Sequence, residues 1–69
     1  MNLTQEVKKQ NTLIRAKVAL LMFKKKIKQK DLIEQTKLRQ DDFSQWFNGK
    51  RDFSEAKLNL ITQWYENNI

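Results

Sequence analysis

The chain has 69 residues, no cysteine or histidine, and a formal net charge of +6 from 14 basic and 8 acidic residues. This length predicts a single domain over residues 1–69 with one small core. Without cysteine or histidine, a disulfide framework, a zinc finger and the usual nucleophilic sites are excluded. The carboxylates are scattered and a single glycine cannot form a phosphate loop. We therefore expect no catalytic residue, metal, cofactor or small-molecule substrate.

No run of 18 apolar residues occurs, and residues 1–4 lack the charged and then apolar order of a signal peptide. We therefore expect an intracellular protein that does not bind a membrane. If the source is eukaryotic, the expected location is the nucleus, and if it is bacterial or phage, the cytoplasm or nucleoid.

Proline is absent and the only glycine is Gly49, which predicts an all-α, compact domain of four or five helices with short turns. We predict helices from about Thr4 to Lys25, Gln29 to Thr36, Gln40 to Asn48, and Glu55 to Asn67. Gly49 suits the left-handed position just after the third helix.

The first helix carries two apolar strips, as judged from an advance of about 100° per residue. The strip predicted to face the core contains Ile14, Val18, Leu21 and Met22. The second strip contains Leu13, Ala16, Leu20 and Phe23, and lysines separate it from the first. Since so small a domain has one core, we predict that the second strip binds a protein partner or a second copy of the chain. Alternatively, the amino-terminal turn with Leu3 and Val7, or the fourth helix, covers it.

Basic charge is concentrated in the first half of the chain. Between Val7 and Lys30 there is no acidic residue and there are nine basic ones, namely Lys8, Lys9, Arg15, Lys17, Lys24, Lys25, Lys26, Lys28 and Lys30. The imbalance favours a polyanionic partner such as DNA, whereas the alternative is a solvated surface without a partner. An amphipathic helix lying on a membrane is disfavoured, because the lysines divide two apolar strips instead of opposing one.

Residues 29–49 are predicted to form a helix-turn-helix, which is two short helices joined by a tight turn. Its apolar residues are placed where crossed helices touch: Leu32, Ile33, Leu38, Phe43, Trp46 and Phe47. The other face of the third helix is rich in side chains that can hydrogen-bond to base edges, namely Arg39, Gln40, Asp41, Ser44, Gln45 and Asn48.

The fourth helix has a recognisable start. Ser54 is a favourable cap, and Phe53 with Leu58 forms a hydrophobic staple around it. Its core face is predicted to contain Leu58, Ile61, Trp64 and Tyr65.

Over about residues 14–66 the chain resembles the lambda-repressor-like superfamily, which includes phage repressors and POU-specific domains. The resemblance rests on Gln29, Leu32, Leu38, Gln40, Phe43-Ser44-Gln45 and Asn48-Gly49. Within this superfamily, Ile33 and Trp64-Tyr65 make the chain most similar to the POU-specific-like domains of the hepatocyte-nuclear-factor homeodomain group. Lys37 stands where the turn commonly has glycine, so either Lys37 is left-handed, at a cost of about 1 kcal/mol, or the turn differs by one residue.

The resemblance implies that the second helix lies across the DNA backbone, with Gln29 on a phosphate, and that the third enters the major groove of double-stranded DNA. The predicted base readers are Gln40 and Gln45, because a carboxamide pairs with adenine N6 and N7. Arg39 reads guanine or binds a phosphate, and Ser44 contacts either a base or a phosphate. Phosphate contacts are assigned to Asn48, Lys50 and Arg51.

Asp41 and Asp42 follow the predicted cap Arg39, where carboxylates favourably meet the helix dipole. In a groove, such carboxylates either accept a hydrogen bond from cytosine N4 or repel the DNA. We assign Asp41 to the DNA-contacting set with both alternatives open.

These features predict a non-enzymatic DNA-binding domain that acts in transcription regulation. The alternative is a small helical docking subunit of a DNA-modifying or chromatin-associated complex, which contributes basic DNA-facing surface.

Overall fold

The structure, a computed structural model, describes residues 3–69, with side chains from Gln5 onward. These residues form four α-helices and no strand: α1 (Leu3–Lys25), α2 (Gln29–Thr36), α3 (Gln40–Phe47) and α4 (Glu55–Asn68). The all-helical prediction is confirmed, and every helix bound lies within one residue of its predicted position. Residues 1 and 2 of the predicted domain lie outside the described residues.

Helix α1 determines the length of the molecule. Its 23 residues extend about 35 Å at 1.5 Å per residue, and the longest dimension of the molecule is 37 Å. Helices α3 and α4 both contact α1, and α2 contacts α3 and α4. The long first helix thus contacts α3 and α4 directly, and α2 joins the assembly through those two helices.

Left-handed residues shape the connections between helices. Lys37 adopts φ 59° and ψ 25° at the end of α2, which is the first of the two predicted solutions for this turn. Lys26, after α1, has φ 55°. Gly49 has φ 78°, as predicted, and a Cβ there would meet no atom within 4 Å. Glycine at residue 49 is therefore favoured by backbone conformation and not by lack of space.

The predicted start of α4 is also confirmed. The Ser54 hydroxyl accepts a hydrogen bond from the Lys57 backbone N–H at 3.5 Å. Phe53 and Leu58, on either side of this cap, are both buried. The staple fixes the direction in which the chain enters α4.

The core draws on all four helices and the connections between them. Its buried apolar residues are Val18, Leu21, Met22, Leu32, Leu38, Phe43, Trp46, Phe53, Leu58, Ile61 and Trp64. Predicted core residues Ile14, Ile33, Phe47 and Tyr65 pack against this cluster but are only partly buried. The Trp46 and Phe53 rings stack with centroids 4.8 Å apart, joining α3 to the segment before α4.

A fully buried polar side chain, Asn11, lies beside this stack and was not predicted. Its Oδ1 accepts from Trp46 Nε1 and from the Phe53 backbone N–H, each at 2.8 Å. Its Nδ2 donates to the carbonyl oxygens of Phe53 at 3.1 Å and Val7 at 2.9 Å. All the hydrogen-bonding groups of the amide are thus satisfied, so its burial carries no unpaired polar atom.

We expect Asn11→Ala to lower the free energy of unfolding by roughly 2 to 5 kcal/mol, because it leaves Trp46 Nε1–H and the Phe53 N–H buried without partners. Chemical denaturation measures the change. Thr12→Ala is the matched control, since the exposed Thr12 hydroxyl donates only to Lys8 within its own helix. An Asn11→Ala variant as stable as the Thr12→Ala variant would show that the buried amide does not stabilise the fold.

Candidate nucleic-acid interface

The orientation of α3 follows from which of its side chains are buried. Phe43 and Trp46 are completely inaccessible. An advance of about 100° per residue places Asp41, Ser44, Gln45 and Asn48 opposite them. Gln40 lies at the margin of that outward face.

The predicted DNA-contacting residues are at the surface. Ser44 is half-buried, and the exposed members are Gln29, Arg39, Gln40, Asp41, Gln45, Asn48, Lys50 and Arg51. Asn48 Nδ2 lies 3.5 Å from Ser44 Oγ, so these side chains already contact each other across one helical turn. We call the outward polar residues of α3 and its flanks the α3 face: Arg39, Gln40, Asp41, Ser44, Gln45, Asn48, Lys50 and Arg51.

The start of α3 combines a basic cap with an acidic first turn. Arg39 is the cap residue, as predicted, in extended conformation and without a side-chain capping bond. Its Nε lies 3.6 Å from Asp41 Oδ1, and both side chains are mostly exposed. An exposed ion pair of this kind contributes little to stability and opens readily, so either group can turn to another charged partner.

The two carboxylates of this turn have different surroundings, which their adjacent positions in the sequence did not reveal. Asp42 is directed toward α4, where it accepts from Lys57 Nζ at 3.2 Å. Arg51 Nη1 lies 3.8 Å from the other carboxylate oxygen. The Asp42 side chain is only 18% exposed, against 64% for Asp41. Only Asp41 therefore presents an open negative charge on the α3 face.

Arg15 has a different role from the one that its place in the basic half of the chain suggests. The sequence groups it with the lysines as a cation for a polyanion, but its side chain is only 19% exposed. Its Nε donates to the Trp46 carbonyl, and its Nη2 donates to the Arg51 carbonyl at 3.3 Å and to Asp52 Oδ1 at 3.2 Å. Its guanidinium carbon lies 5.3 Å from the centre of the Trp46 ring. Arg15 thus anchors the end of α3 and the following loop, and does not reach outward.

The lysines of the basic half are exposed, in contrast to Arg15. They are Lys8, Lys9, Lys17, Lys24, Lys25, Lys26, Lys28 and Lys30. Lys25 donates to the Asn68 carbonyl near the end of α4. The remaining basic surface is therefore contributed by α1, the connection after it and the start of α2.

The two apolar strips of the first helix differ in exposure, as predicted: one is buried and the other faces solvent. Val18, Leu21 and Met22 are buried, whereas Leu13 is 54%, Leu20 56% and Phe23 83% exposed. Ala16 is exposed as well. The alternative in which α4 covers this strip is wrong. The side chain of Leu3, part of the other alternative, lies outside the described side chains.

Over residues 3–69, no cluster of three acidic side chains is arranged to hold a metal ion. In the same part of the chain, no helix combines the length and apolar character needed to cross a membrane.

Comparison of the chain with protein-family models, curated proteins and solved structures finds no significant match.

We expect Arg15→Lys, which keeps the charge, to lower the free energy of unfolding by about 1 to 3 kcal/mol. Lysine cannot reproduce the forked hydrogen bonds to two carbonyls and a carboxylate. The backbone amides of residues 48–53 should also exchange with solvent faster, as measured by hydrogen exchange. Lys17→Arg is the control, since residue 17 is exposed on the same helix. Unchanged stability and exchange in Arg15→Lys would mean that the loop is held without the guanidinium.

Proposed function

We propose that the chain is a lambda-repressor-like helix-turn-helix domain that binds double-stranded DNA with α3 in the major groove. The observation that carries this proposal is the arrangement of α2 and α3. Two eight-residue helices are separated by three residues, and α3 buries Phe43 and Trp46 while its opposite side stays polar and open. A recognition helix needs this division, because its inner side must hold it rigidly while its outer side contacts base edges.

The side chains of the α3 face have suitable hydrogen-bonding chemistry. Gln45 is exposed at the centre of the outward side and Gln40 at its margin. A carboxamide both donates and accepts, so it can pair with N6 and N7 of adenine in the major groove. Ser44 and Asn48 lie beside Gln45 and offer further donors and acceptors. We assign direct base contacts to Gln40 and Gln45.

Phosphate contacts are assigned to the ends of the two helices. The cap residues of α2 and α3 are Lys28 and Arg39, and neither makes a side-chain capping bond. The first N–H groups of each helix are therefore open to donate to an anionic oxygen, with a cation beside them. Gln29 at the start of α2, and Lys50 and Arg51 after α3, complete the set that would position the duplex.

Binding to DNA would place the chain in transcription regulation, in the nucleus of a eukaryote or in the cytoplasm or nucleoid of a bacterium or phage-infected cell. A second candidate function is a docking subunit of a DNA-modifying or chromatin-associated complex. It is favoured by the exposed strip on α1, which the contacts between the helices leave uncovered.

The test of the proposal is a salt titration of binding to a random duplex and to duplexes selected by the protein from a random pool. We expect the slope of log K against log salt to be roughly −3 to −6, because a small domain reaches few phosphates and each contributes about −0.9. Selected duplexes should bind more tightly than the random one at every salt concentration. Equal affinity for both would favour the docking subunit, and no binding to any duplex at about 50 mM salt would contradict DNA binding altogether.

We expect some residues of the α3 face to determine sequence preference and others to contribute affinity for any sequence. Gln45→Ala should remove discrimination at one or two base pairs, roughly 1 to 3 kcal/mol, without altering the salt slope. Lys50→Ala should weaken binding to all sequences and lower the magnitude of the slope by about 1. Gln63→Ala is the matched control for Gln45→Ala, since residue 63 is exposed on α4.

The same titration with Asp41→Asn decides between the two roles of Asp41. Tighter binding to every duplex would show that the carboxylate repels phosphate, whereas loss of preference at a cytosine would show that it accepts from cytosine N4. If Gln45→Ala, Lys50→Ala and Asp41→Asn all bind like the parent protein, α3 does not lie in a groove.

A further inference from the structure

The exposed strip on α1 has the spacing of a coiled-coil seam. Leu13, Ala16, Leu20 and Phe23 are separated by three, four and three residues, which corresponds to a, d, a and d of two heptads. We call these four residues the α1 seam. Such spacing lines up side chains along a stripe that a second helix can cover, with its own side chains packing between them.

The α1 seam lies on the side of the helix that faces away from the core. At about 100° per residue, the seam is opposite Asn11 and Val18, which are both completely buried. Phe23 is 83% exposed, and Leu13 and Leu20 are each more than half exposed. A helix could therefore cover the seam without displacing any core side chain, and it would remove three large apolar side chains from water.

The charges around the α1 seam determine what kind of helix fits. Lys17 and Lys24 occupy the e positions of the two heptads, and Lys9 lies in line with the seam one turn before Leu13. All three are exposed. Residues at e pair with charged residues flanking the seam of the partner helix and thereby select it. The only carboxylate in α1 is Glu6, one turn before Lys9, so Lys17 and Lys24 have no acidic neighbour within the helix.

We propose that the α1 seam docks an amphipathic helix of another protein, with apolar residues at heptad spacing and glutamate or aspartate beside them. The apolar residues of that helix would cover Leu20 and Phe23, and its carboxylates would pair with Lys17 and Lys24. This interaction is separate from DNA binding, because it uses α1 and leaves the α3 face free.

A second copy of the chain fits the seam less well. In an antiparallel pair, e positions face each other, which brings Lys17 and Lys24 of one copy against those of the other. In a parallel pair, the e positions face the g positions Thr12 and Ala19, which include no carboxylate. Either orientation joins two chains of net charge +6 through a seam of two heptads, without one compensating ion pair across the seam.

An anionic membrane also fits less well than an acidic helix. A helix that lies on a membrane presents one wide apolar side to the lipid and its charges on the opposite side. The opposite side of α1 is instead packed against the core, and the seam is a narrow stripe with Lys9 in line and Lys17 and Lys24 beside it.

The proposal is tested with the full chain and two fluorescent three-heptad peptides. Both peptides have leucine at a and d, one with glutamate and the other with lysine at e and g. We expect the acidic peptide to bind at least about tenfold more tightly than the basic one, as measured by fluorescence anisotropy at low salt. The double variant Lys17→Glu with Lys24→Glu should reverse this preference.

Uncharged substitutions test the apolar part of the seam. Leu20→Gln and Phe23→Gln should each weaken binding of the acidic peptide by about tenfold or more, since each removes a large apolar contact. Leu60→Gln is the matched control, because Leu60 is also exposed, at 47%, but lies on α4. Thermal melting verifies that each variant folds. If Leu20→Gln unfolds the chain, the more exposed Phe23→Gln gives the result.

Three outcomes would overturn the proposal. The first is equal binding of both peptides, or binding that neither seam variant weakens. The second is a dimer in analytical ultracentrifugation that Leu20→Gln dissociates, which would assign the seam to a second copy. The third is binding to phosphatidylserine vesicles that Leu20→Gln abolishes, with no binding of the acidic peptide. Because duplex affinity is measured separately, failure of DNA binding and failure of peptide binding are distinguishable.

Discussion

The buried amide of Asn11 is the contact on which the arrangement of the helices depends. One side chain on α1 accepts from the Trp46 indole and from the Phe53 backbone, and donates to the Phe53 carbonyl. These groups belong to α3 and to the segment that starts α4. Shifting any one of these elements would leave a buried donor or acceptor unpaired, which is more costly than loss of an apolar contact. The amide therefore selects one packing of three elements among the many that an apolar core alone would tolerate.

Arg15 extends this constraint by one helical turn along α1. Asn11 holds the chain at Phe53, and Arg15 holds it at the carbonyls of Trp46 and Arg51. The loop between α3 and α4 is thus fixed at both of its ends, and Lys50 is carried between the two attachment points. A loop fixed in this way loses little conformational freedom when its side chains bind a ligand. Side chains of α1 that are not part of the candidate interface consequently hold it in one conformation before a ligand binds.

Much of the fold was predictable because local signals agreed with the apolar periodicity. Gly49, the Ser54 cap, the Phe53–Leu58 staple and the absence of proline define the ends of helices within the chain itself. The buried Asn11 and the inward-facing Arg15 were not predictable, because a polar residue on a helix is buried only when distant residues supply its partners. The same reason applies to Asp42, whose partner Lys57 lies 15 positions away along the chain.

The uninterrupted positive charge between Val7 and Lys30 also affects the folded state itself. Lys24 and Lys28, and likewise Lys26 and Lys30, are separated by four residues near the end of α1 and the start of α2. Like charges so close in a compact chain repel one another, and this repulsion opposes folding even where the helix dipole favours cations. Dissolved ions weaken that repulsion, most strongly between charges farther apart than the screening length of roughly 10 Å at 0.1 M. Moderate salt therefore stabilises the domain without a ligand, whereas it weakens binding to any polyanion. The salt concentration that gives the highest melting temperature is thus higher than the one that gives the tightest binding.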